Sequence, residues 1–410
     1  MNKDFHAIMS KKEESDELTM LQNKTWNQHT IKNGNKSIVL ETIMNHSPIS
    51  RANIADKTGL NKGTVSSQVS ELLDEDLIYE KGPGKSSGGR KPVILLFNEV
   101  AGYSIGIDIG VNYIFGMLTD LQGNVCKEKS LTYKDPTFEE IEQKLFETVD
   151  FLTSYAPPST YGIVGIGIGV PGATDKNGKV LLAPNLGWQN IDLKSIMEEK
   201  YDCPVVIENE ANAGAYAEKK FRTGTENTDI IYVSVGVGIG VGLILSGELY
   251  RGNSGFSGEM GHMTIEANGT KCRCGNNGCW ELYASEQALI NNSAQFGMED
   301  ADVDNILEKM INLAEKGDEE ATKLFNTIGN YLGIGIINII NSFNPQQVII
   351  GNRMTAAKEW IEQPLLEKVN QHALWFQQKH LQIDFSDLSA HSTALGVAAF
   401  SNENFFKIYK

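Results

Sequence analysis

His262 and the run Cys272-Arg273-Cys274-Gly275-Asn276-Asn277-Gly278-Cys279 bring three of the chain's five cysteines together, with a histidine ten residues upstream. One imidazole and three thiolates make a complete tetrahedral ligand set for zinc. The Cys-x-Cys pair turns the chain tightly, and Gly275 and Gly278 let it fold back so that a third thiolate reaches the same ion. With all four positions filled by protein, such a site is structural and has no open position for hydrolytic chemistry. The competing reading is a loop of reduced cysteines with His262 employed elsewhere. Ligand types and spacing favour Zn2+ held by His262, Cys272, Cys274 and Cys279. Cys126 and Cys203 stand alone and read as small buried residues rather than a disulfide.

A second constellation lies near the N-terminus, in a pattern suited to nucleic acid. Ser50 is an N-cap for a short helix, Arg51 to Thr58; Gly59 permits a sharp turn, and Leu60 plugs the core. Asn61 caps a further helix, Lys62 to Asp74, with Val65, Val69 and Leu72 inward. Helix, glycine turn, helix is the helix-turn-helix arrangement. Lys62, Thr64, Ser66, Ser67 and Gln68 are expected on the outer face of that second helix, where short donors and acceptors meet base edges in a major groove. Arg51 would add charge beside it. Downstream, Gly82 to Pro92 carries Lys85, Arg90 and Lys91 between two apolar runs, which reads as a hairpin with a basic, glycine-rich wing. Arg90 and Lys91 would serve a narrow groove or phosphates. The alternative is a three-helix protein-interaction module with a solvated loop; the polar helix and basic wing together favour double-stranded DNA.

These residues need elements to hold them. A preceding helix carrying Ile38, Leu40 and Ile43 should end near His46-Ser47-Pro48, and residues 1–30, polar throughout, form a flexible segment. From Tyr103 onward, strand-like runs alternate with helical stretches such as Phe138–Ser154, which predicts an α/β body. The apolar run Ile230–Leu245 is long enough to resemble a membrane span. But Gly236, Gly238, Gly240 and Gly242 punctuate it every second residue, so two buried strands joined by a glycine turn fit better.

The chain has a net charge of −16, whereas residues 30–100 hold nine Lys/Arg against eight Asp/Glu and are near neutral. An acidic body repels DNA and confines contact to the small N-terminal module. No secretory signal or membrane span is legible, and reduced cysteines fit a cytoplasmic protein.

Three blocks in the body are specific: Glu208-Asn209-Glu210-Ala211-Asn212-Ala213, Gly258-Glu259-Met260-Gly261-His262, and Cys279-Trp280-Glu281. With the cysteine loop and the turn Asp108-Ile109-Gly110, these resemble the signature blocks of the ROK family, which includes sugar kinases and sugar-responsive repressors. The likeness runs from about residue 36 to the C-terminus. Thr25-Trp26-Asn27-Gln28-His29, the recognition helix and the Ser-Ser-Gly-Gly-Arg-Lys-Pro wing are most similar to the family's xylose-responsive branch.

The resemblance implies an N-terminal winged helix-turn-helix followed by a two-lobed, actin-like (RNase H-like) ATPase-type body. The expected division is a flexible segment 1–30, a DNA-binding domain 31–98, a first lobe 99–223 completed by about 390–410, and a second lobe 224–389 with the zinc loop. By matching positions, a sugar would lie between the lobes against Asn209, Glu210, Glu259, His262 and Glu281. Carboxylates and an amide take bidentate patterns from vicinal hydroxyls. His262 would serve twice, one ring nitrogen on zinc and the other on a hydroxyl. Taken alone, Glu210 or Glu281 would read as a solvated helix carboxylate.

The family's kinases need three features from which this chain departs. The first phosphate loop should read Asp-x-Gly-Gly-Thr with a lysine following, but Asp108-Ile109-Gly110 continues as Val111-Asn112-Tyr113. The catalytic Asp position is Glu210, and a glycine pair after a late strand is Gly351-Asn352. The expectation is therefore a non-enzymatic, homodimeric repressor that reads a palindromic operator and releases it on binding xylose or a related sugar. The retained carboxylate at Glu210 keeps a regulator with kinase activity as one alternative; a sugar-responsive protein adaptor is the other.

Overall fold

The computed structural model describes residues 28–83, 93–134, 136–175, 177–222, 226–297, 305–388 and 391–407. They form two compact units. One holds the chain up to Glu99 together with the residues from Phe406; the other is Val100–Phe405.

In the first unit, α1 (Gln28–His46) is followed by β1 (Ile49–Ser50), α2 (Arg51–Thr58), α3 (Lys62–Asp74), β2 (Ile78–Pro83) and β3 (Val93–Phe97), and the strands form one antiparallel sheet in the order β1-β3-β2. The local signals act as read. The Ser50 side chain accepts from Asn53 N, Gly59 takes a φ of 71°, and Asn61 Oδ1 accepts from Thr64 N at 2.8 Å. Three details differ from the sequence reading. α1 begins by Gln28, inside the segment expected to be flexible to residue 30. Ile38 is exposed and its neighbour Val39 fills the core with Leu40 and Ile43, because these three share one helical face. Leu60 is only half-buried.

The second unit is built on two five-stranded sheets. The first comprises β4 (Tyr103–Ile109), β5 (Tyr113–Asp120), β6 (Val125–Thr132), β7 (Ile163–Val170) and β11 (Val205–Asn209), in the order β11-β7-β4-β5-β6. Between β7 and β11 a small antiparallel sheet, β8 (Ala173–Thr174), β9 (Val180–Ala183) and β10 (Trp188–Ile191), branches off. The capped helix α4 (Phe138–Tyr155) and α5 (Leu193–Lys200) belong to this half.

After α6 (Glu210–Phe221), the second sheet comprises β12 (Ile230–Val235), β13 (Ile239–Leu245), β14 (Glu248–Leu249), β15 (Gln347–Gly351) and β16 (Gln382–Phe385), in the order β14-β13-β12-β15-β16. Its helices are α7 (Glu281–Ala284), α8 (Glu286–Asn291), α9 (Ile306–Glu315), α10 (Glu319–Phe343), α11 (Lys358–His372) and α12 (Trp375–Gln378), and the chain then returns to the first half as α13 (Ser392–Phe406). Read from the other edge, the second sheet repeats the first: two parallel pairs beside two antiparallel ones. The 230–245 run is the antiparallel pair β12–β13, as its glycines predicted. No described helix is long and apolar enough to cross a membrane.

Each sheet has its own core. Ile105, Ile107 and Ile168 pack with Leu145 and Leu152 of α4 in one; Val233, Val348 and Ile350 pack with Phe325, Ile336 and Leu365 in the other. Between the halves, α6 and α13 meet so closely that a Cβ on Gly396 would stand 1.9 Å from the Ala213 carbonyl oxygen. α13 also lies on the first sheet, where Gly106 and Gly167 leave room for it. Cys126, read as buried, is exposed on edge strand β6, where alternate side chains face solvent. No described cysteine is in a disulfide.

Candidate sugar cleft, metal loop and DNA-reading helix

The two sheets of the second unit place their strand ends around one cleft of about 790 Å³. Binding at the carboxyl ends of parallel strands is the general habit of open α/β sheets, because loops there are free to vary. All five residues matched to a sugar site, Asn209, Glu210, Glu259, His262 and Glu281, line it.

Asn209 ends β11 and N-caps α6: its Oδ1 accepts from Ala211 N at 2.9 Å and Asn212 N at 3.2 Å, while Nδ2 donates to the Gly172 carbonyl at 3.0 Å. The side chain is thereby fixed in one orientation before any ligand arrives. Glu210 is the first residue of α6. Burial, and then the nearby Asp108, lift its carboxyl to about 8 despite a hydrogen bond from Ser234. Gly258, in the left-handed region at φ 93°, opens the 3-10 turn Glu259–His262; a Cβ there would lie 1.9 Å from the Val241 carbonyl oxygen. Burial raises the Glu259 carboxyl too, against the lowering effect of His262.

The cysteine loop closes on itself as its glycines require. Cys272 N donates to Asn276 O at 2.8 Å; Gly275 and Gly278 sit at φ 94° and 68°. The ligand atoms of His262, Cys272, Cys274 and Cys279 all lie within 4.8 Å of one another, so the four are spaced to share a metal ion. His262 Nδ1 stands 3.8 Å from Cys272 Sγ, and Cys274 Sγ stands 3.6 Å from Cys279 Sγ. Burial pushes the Cys272 and Cys279 thiols up; a bound cation would reverse that by favouring thiolate. Trp280, fully buried, anchors the loop: its Nε1 donates to the Tyr331 carbonyl on α10 at 2.8 Å, over the gap left by Gly335. Glu281 follows, with Oε1 3.2 Å from Cys272 Sγ and 3.3 Å from His262 Nδ1. Metal loop and cleft therefore share His262 and Glu281 as a common wall.

Beside Glu210 in the same cleft, side chains cover the turns that phosphate loops would need. The Tyr113 ring lies across the β4–β5 turn, where a Cβ on Gly110 would be 2.1 Å from it, and its hydroxyl donates to Asp108 Oδ2 at 2.8 Å. Burial lifts Asp108 to about 7, countered by that bond, and its Oδ1 is buried without a hydrogen-bond partner. On the second sheet, Asn352 Nδ2 donates to Ser234 Oγ at 2.9 Å beside Gly236. Arg353 Nε pairs with the fully buried Glu286 at 3.2 Å. Tyr113 and Arg353 were not singled out from the sequence; an aromatic directly after the place of the kinases' phosphate-loop threonine, which is Asn112 here, was the available signal for Tyr113.

On α3, Lys62, Ser66 and Ser67 are exposed and Thr64 is half-buried. Gln68 is a correction: it is 3 % exposed, inside the unit beside Val65, Val69 and Leu72. Spacings of three and four residues put 65, 68, 69 and 72 on one face, and position outweighs polarity. Arg51 pairs with Glu80 at 2.9 Å, tying α2 to β2, so part of its charge is already answered. Arg90 and Lys91 lie outside the described residues.

A model of the ROK family matches residues 104–404, and one of winged helix-turn-helix DNA-binding domains matches residues 34–79. The chain is 44% identical over 383 residues to a xylose repressor of Bacillus spizizenii, covering 93% of this chain and 98% of that one. Its structure is similar to a crystal structure of a ROK family transcriptional regulator, a homologue of the Escherichia coli MLC protein, with a TM-score of 0.77 at 27% identity over 92% of this chain and 97% of that one. It is also similar to a ROK family glucokinase from Streptomyces griseus in complex with glucose and AMPPNP, with a TM-score of 0.66 at 29% identity over 74% of this chain and all of that one.

Proposed function

The chain belongs to the ROK family, and on that premise we propose that it represses xylose-utilisation genes by binding a palindromic operator as a homodimer and releasing it when xylose enters the cleft. It is a sugar-responsive transcriptional repressor, not an enzyme. The observation that carries the reading is one cleft lined by two unlike sets of residues. Asn209, Glu210, Glu259, His262 and Glu281 line it with groups suited to hydroxyls, while Tyr113 and Asn352 cover the turns where phosphate loops would stand.

In this reading residues 31–98 read DNA, residues 99–223 with about 390–410 form the first sugar-binding lobe, and residues 224–389 form the second. Lys62, Thr64, Ser66 and Ser67 face the major groove, and Arg51, Arg90 and Lys91 address phosphates or the minor groove. The metal is zinc, held by His262, Cys272, Cys274 and Cys279; when bound it supplies charge that keeps the thiolates ionised and fixes the loop. With Nδ1 of His262 turned to the cysteines, Nε2 is left for a sugar hydroxyl. Each sugar hydroxyl paired on both sides adds affinity, and each left unpaired subtracts it, which is how five polar residues discriminate between sugars. Sugar drawing the lobes together shifts the protein away from its operator-binding form by the difference in its affinity for the two.

Calorimetric titration of the purified protein with xylose tests the site. Wild type binds; Glu210→Ala and Glu259→Ala each lose tenfold or more. Xylose binding undiminished in both variants contradicts the assignment.

A further inference from the structure

We infer that the ion pair between Glu208 and Arg251 is a positioning device that holds the two walls of the sugar cleft in register. The inference rests on the reading of the cleft as a sugar site. Glu208 lies on β11 of the first sheet, directly before Asn209 and Glu210. Arg251 follows β14 of the second sheet and opens the loop that ends at Glu259. Both guanidinium contacts fall on one oxygen: Nε at 2.8 Å and Nη2 at 2.7 Å from Glu208 Oε2. The other oxygen, Oε1, accepts from Asn209 N at 3.0 Å and Asn212 Nδ2 at 3.1 Å. A single carboxylate therefore grips the backbone of one wall and the loop of the other.

Two further contacts make the loop lean on the first half. A Cβ on Gly255, at φ 95°, would stand 2.8 Å from the Thr174 carbonyl oxygen, so only glycine lets the loop approach β8 this closely. The Arg251 guanidinium sits 5.4 Å from the Phe400 ring centroid of α13, and Phe400 in turn stacks on Tyr216 of α6 at 4.2 Å. Glu208 is 6 % exposed, so losing its partner leaves a buried charge unanswered. Neither residue lines the cleft; they act through Asn209 and Glu259, which do.

The test uses the full-length protein with its metal bound. R251M and E208Q each weaken xylose binding tenfold or more, while sugar-free operator affinity stays within twofold of wild type and metal content is unchanged. R251K recovers part of the loss, since lysine keeps the charge but not the forked geometry. The double variant is no weaker than the weaker single one, because both remove the same interaction. Hydrogen exchange of the sugar-free protein gives a second readout: amides of residues 252–259 exchange faster in R251M. Full xylose affinity in both single variants, additive losses, or a parallel fall in operator binding overturns the inference. If wild type binds no sugar, the cleft reading falls first, and loop exchange alone decides: unchanged protection in R251M overturns the positioning role as well.

Discussion

The hydroxyl of Tyr113 donates to Oδ2 of Asp108 at 2.8 Å, and the same ring covers Gly110 at the turn between β4 and β5. A phosphate loop works by presenting backbone N–H groups and small side chains to an anion. Here a phenol ring stands in that place with its hydroxyl already donated to a carboxyl, so the space an anion would need over the turn is filled.

The first prediction is that Mg-ATP neither binds nor donates a phosphoryl group. Titration calorimetry should show no heat, and labelled ATP incubated with xylose or glucose should leave both sugars unlabelled. Tyr113→Phe keeps the ring in place and should not restore binding; it should lower stability by about 1 kcal/mol by removing a hydrogen bond to a buried carboxyl. Sugar phosphorylation by the pure protein would contradict the account of the β4–β5 turn.

A pH dependence follows from the same carboxyls. Asp108 rises from 3.8 to about 7, chiefly by burial, and Glu210 from 4.5 to about 8, by burial and then by Asp108. A carboxyl whose folded pKa lies above its unfolded one favours the folded state fully only below the unfolded value. That contribution is withdrawn as pH climbs through the folded pKa. The window therefore runs from about pH 4 to about pH 8. The melting temperature of the sugar-free protein should fall by several degrees from about pH 6 to about pH 9, and Asp108→Asn or Glu210→Gln should shrink the fall. Scanning calorimetry of the three proteins checks this; equal slopes in all of them remove the carboxyls as its cause.

Much of this was legible in the residues because local signals and global need agree. Ser50, Gly59 and Asn61 set the bounds of α2 and α3, and the glycines at 236–242 split one apolar run into two strands. The cysteine loop was legible because its four ligands sit close in sequence. What was not legible depends on partners far along the chain. Arg251 looks like any loop arginine until β11 brings Glu208 beside it, 43 residues away. Tyr113 reads as a strand residue until its ring folds back on Gly110. Gln68 was misread because its polarity spoke for solvent while its spacing spoke for the core.

That correction makes a third prediction. Gln68 Oε1 is buried without a hydrogen-bond partner, so Gln68→Leu should raise stability by about 1 kcal/mol and leave operator affinity unchanged. Lys62→Ala, on the exposed end of α3, should do the reverse: unchanged stability, weaker operator binding and a salt dependence shallower by roughly one ion. Anisotropy titrations at several salt concentrations, paired with urea unfolding, separate the two. Lost operator affinity in Gln68→Leu would return that residue to the DNA-facing side.

Metal removal is the fourth. Chelation, or Cys279→Ser, should release about one zinc per chain, lower the melting temperature and weaken xylose binding together, because His262 and Glu281 belong to both loop and cleft. Cys126→Ser, far from the loop on β6, should change none of these. Metal analysis beside xylose titration checks it, and undiminished xylose binding after proven zinc loss would separate the loop from the site.

The most direct measurement is binding of the full-length protein to labelled DNA from upstream of a xylose-utilisation operon, titrated with xylose, glucose and arabinose. The account predicts tight, salt-sensitive binding that xylose weakens about 100-fold, a coupling of roughly 2.7 kcal/mol, with the other two sugars far less effective. Binding indifferent to all three sugars would contradict it.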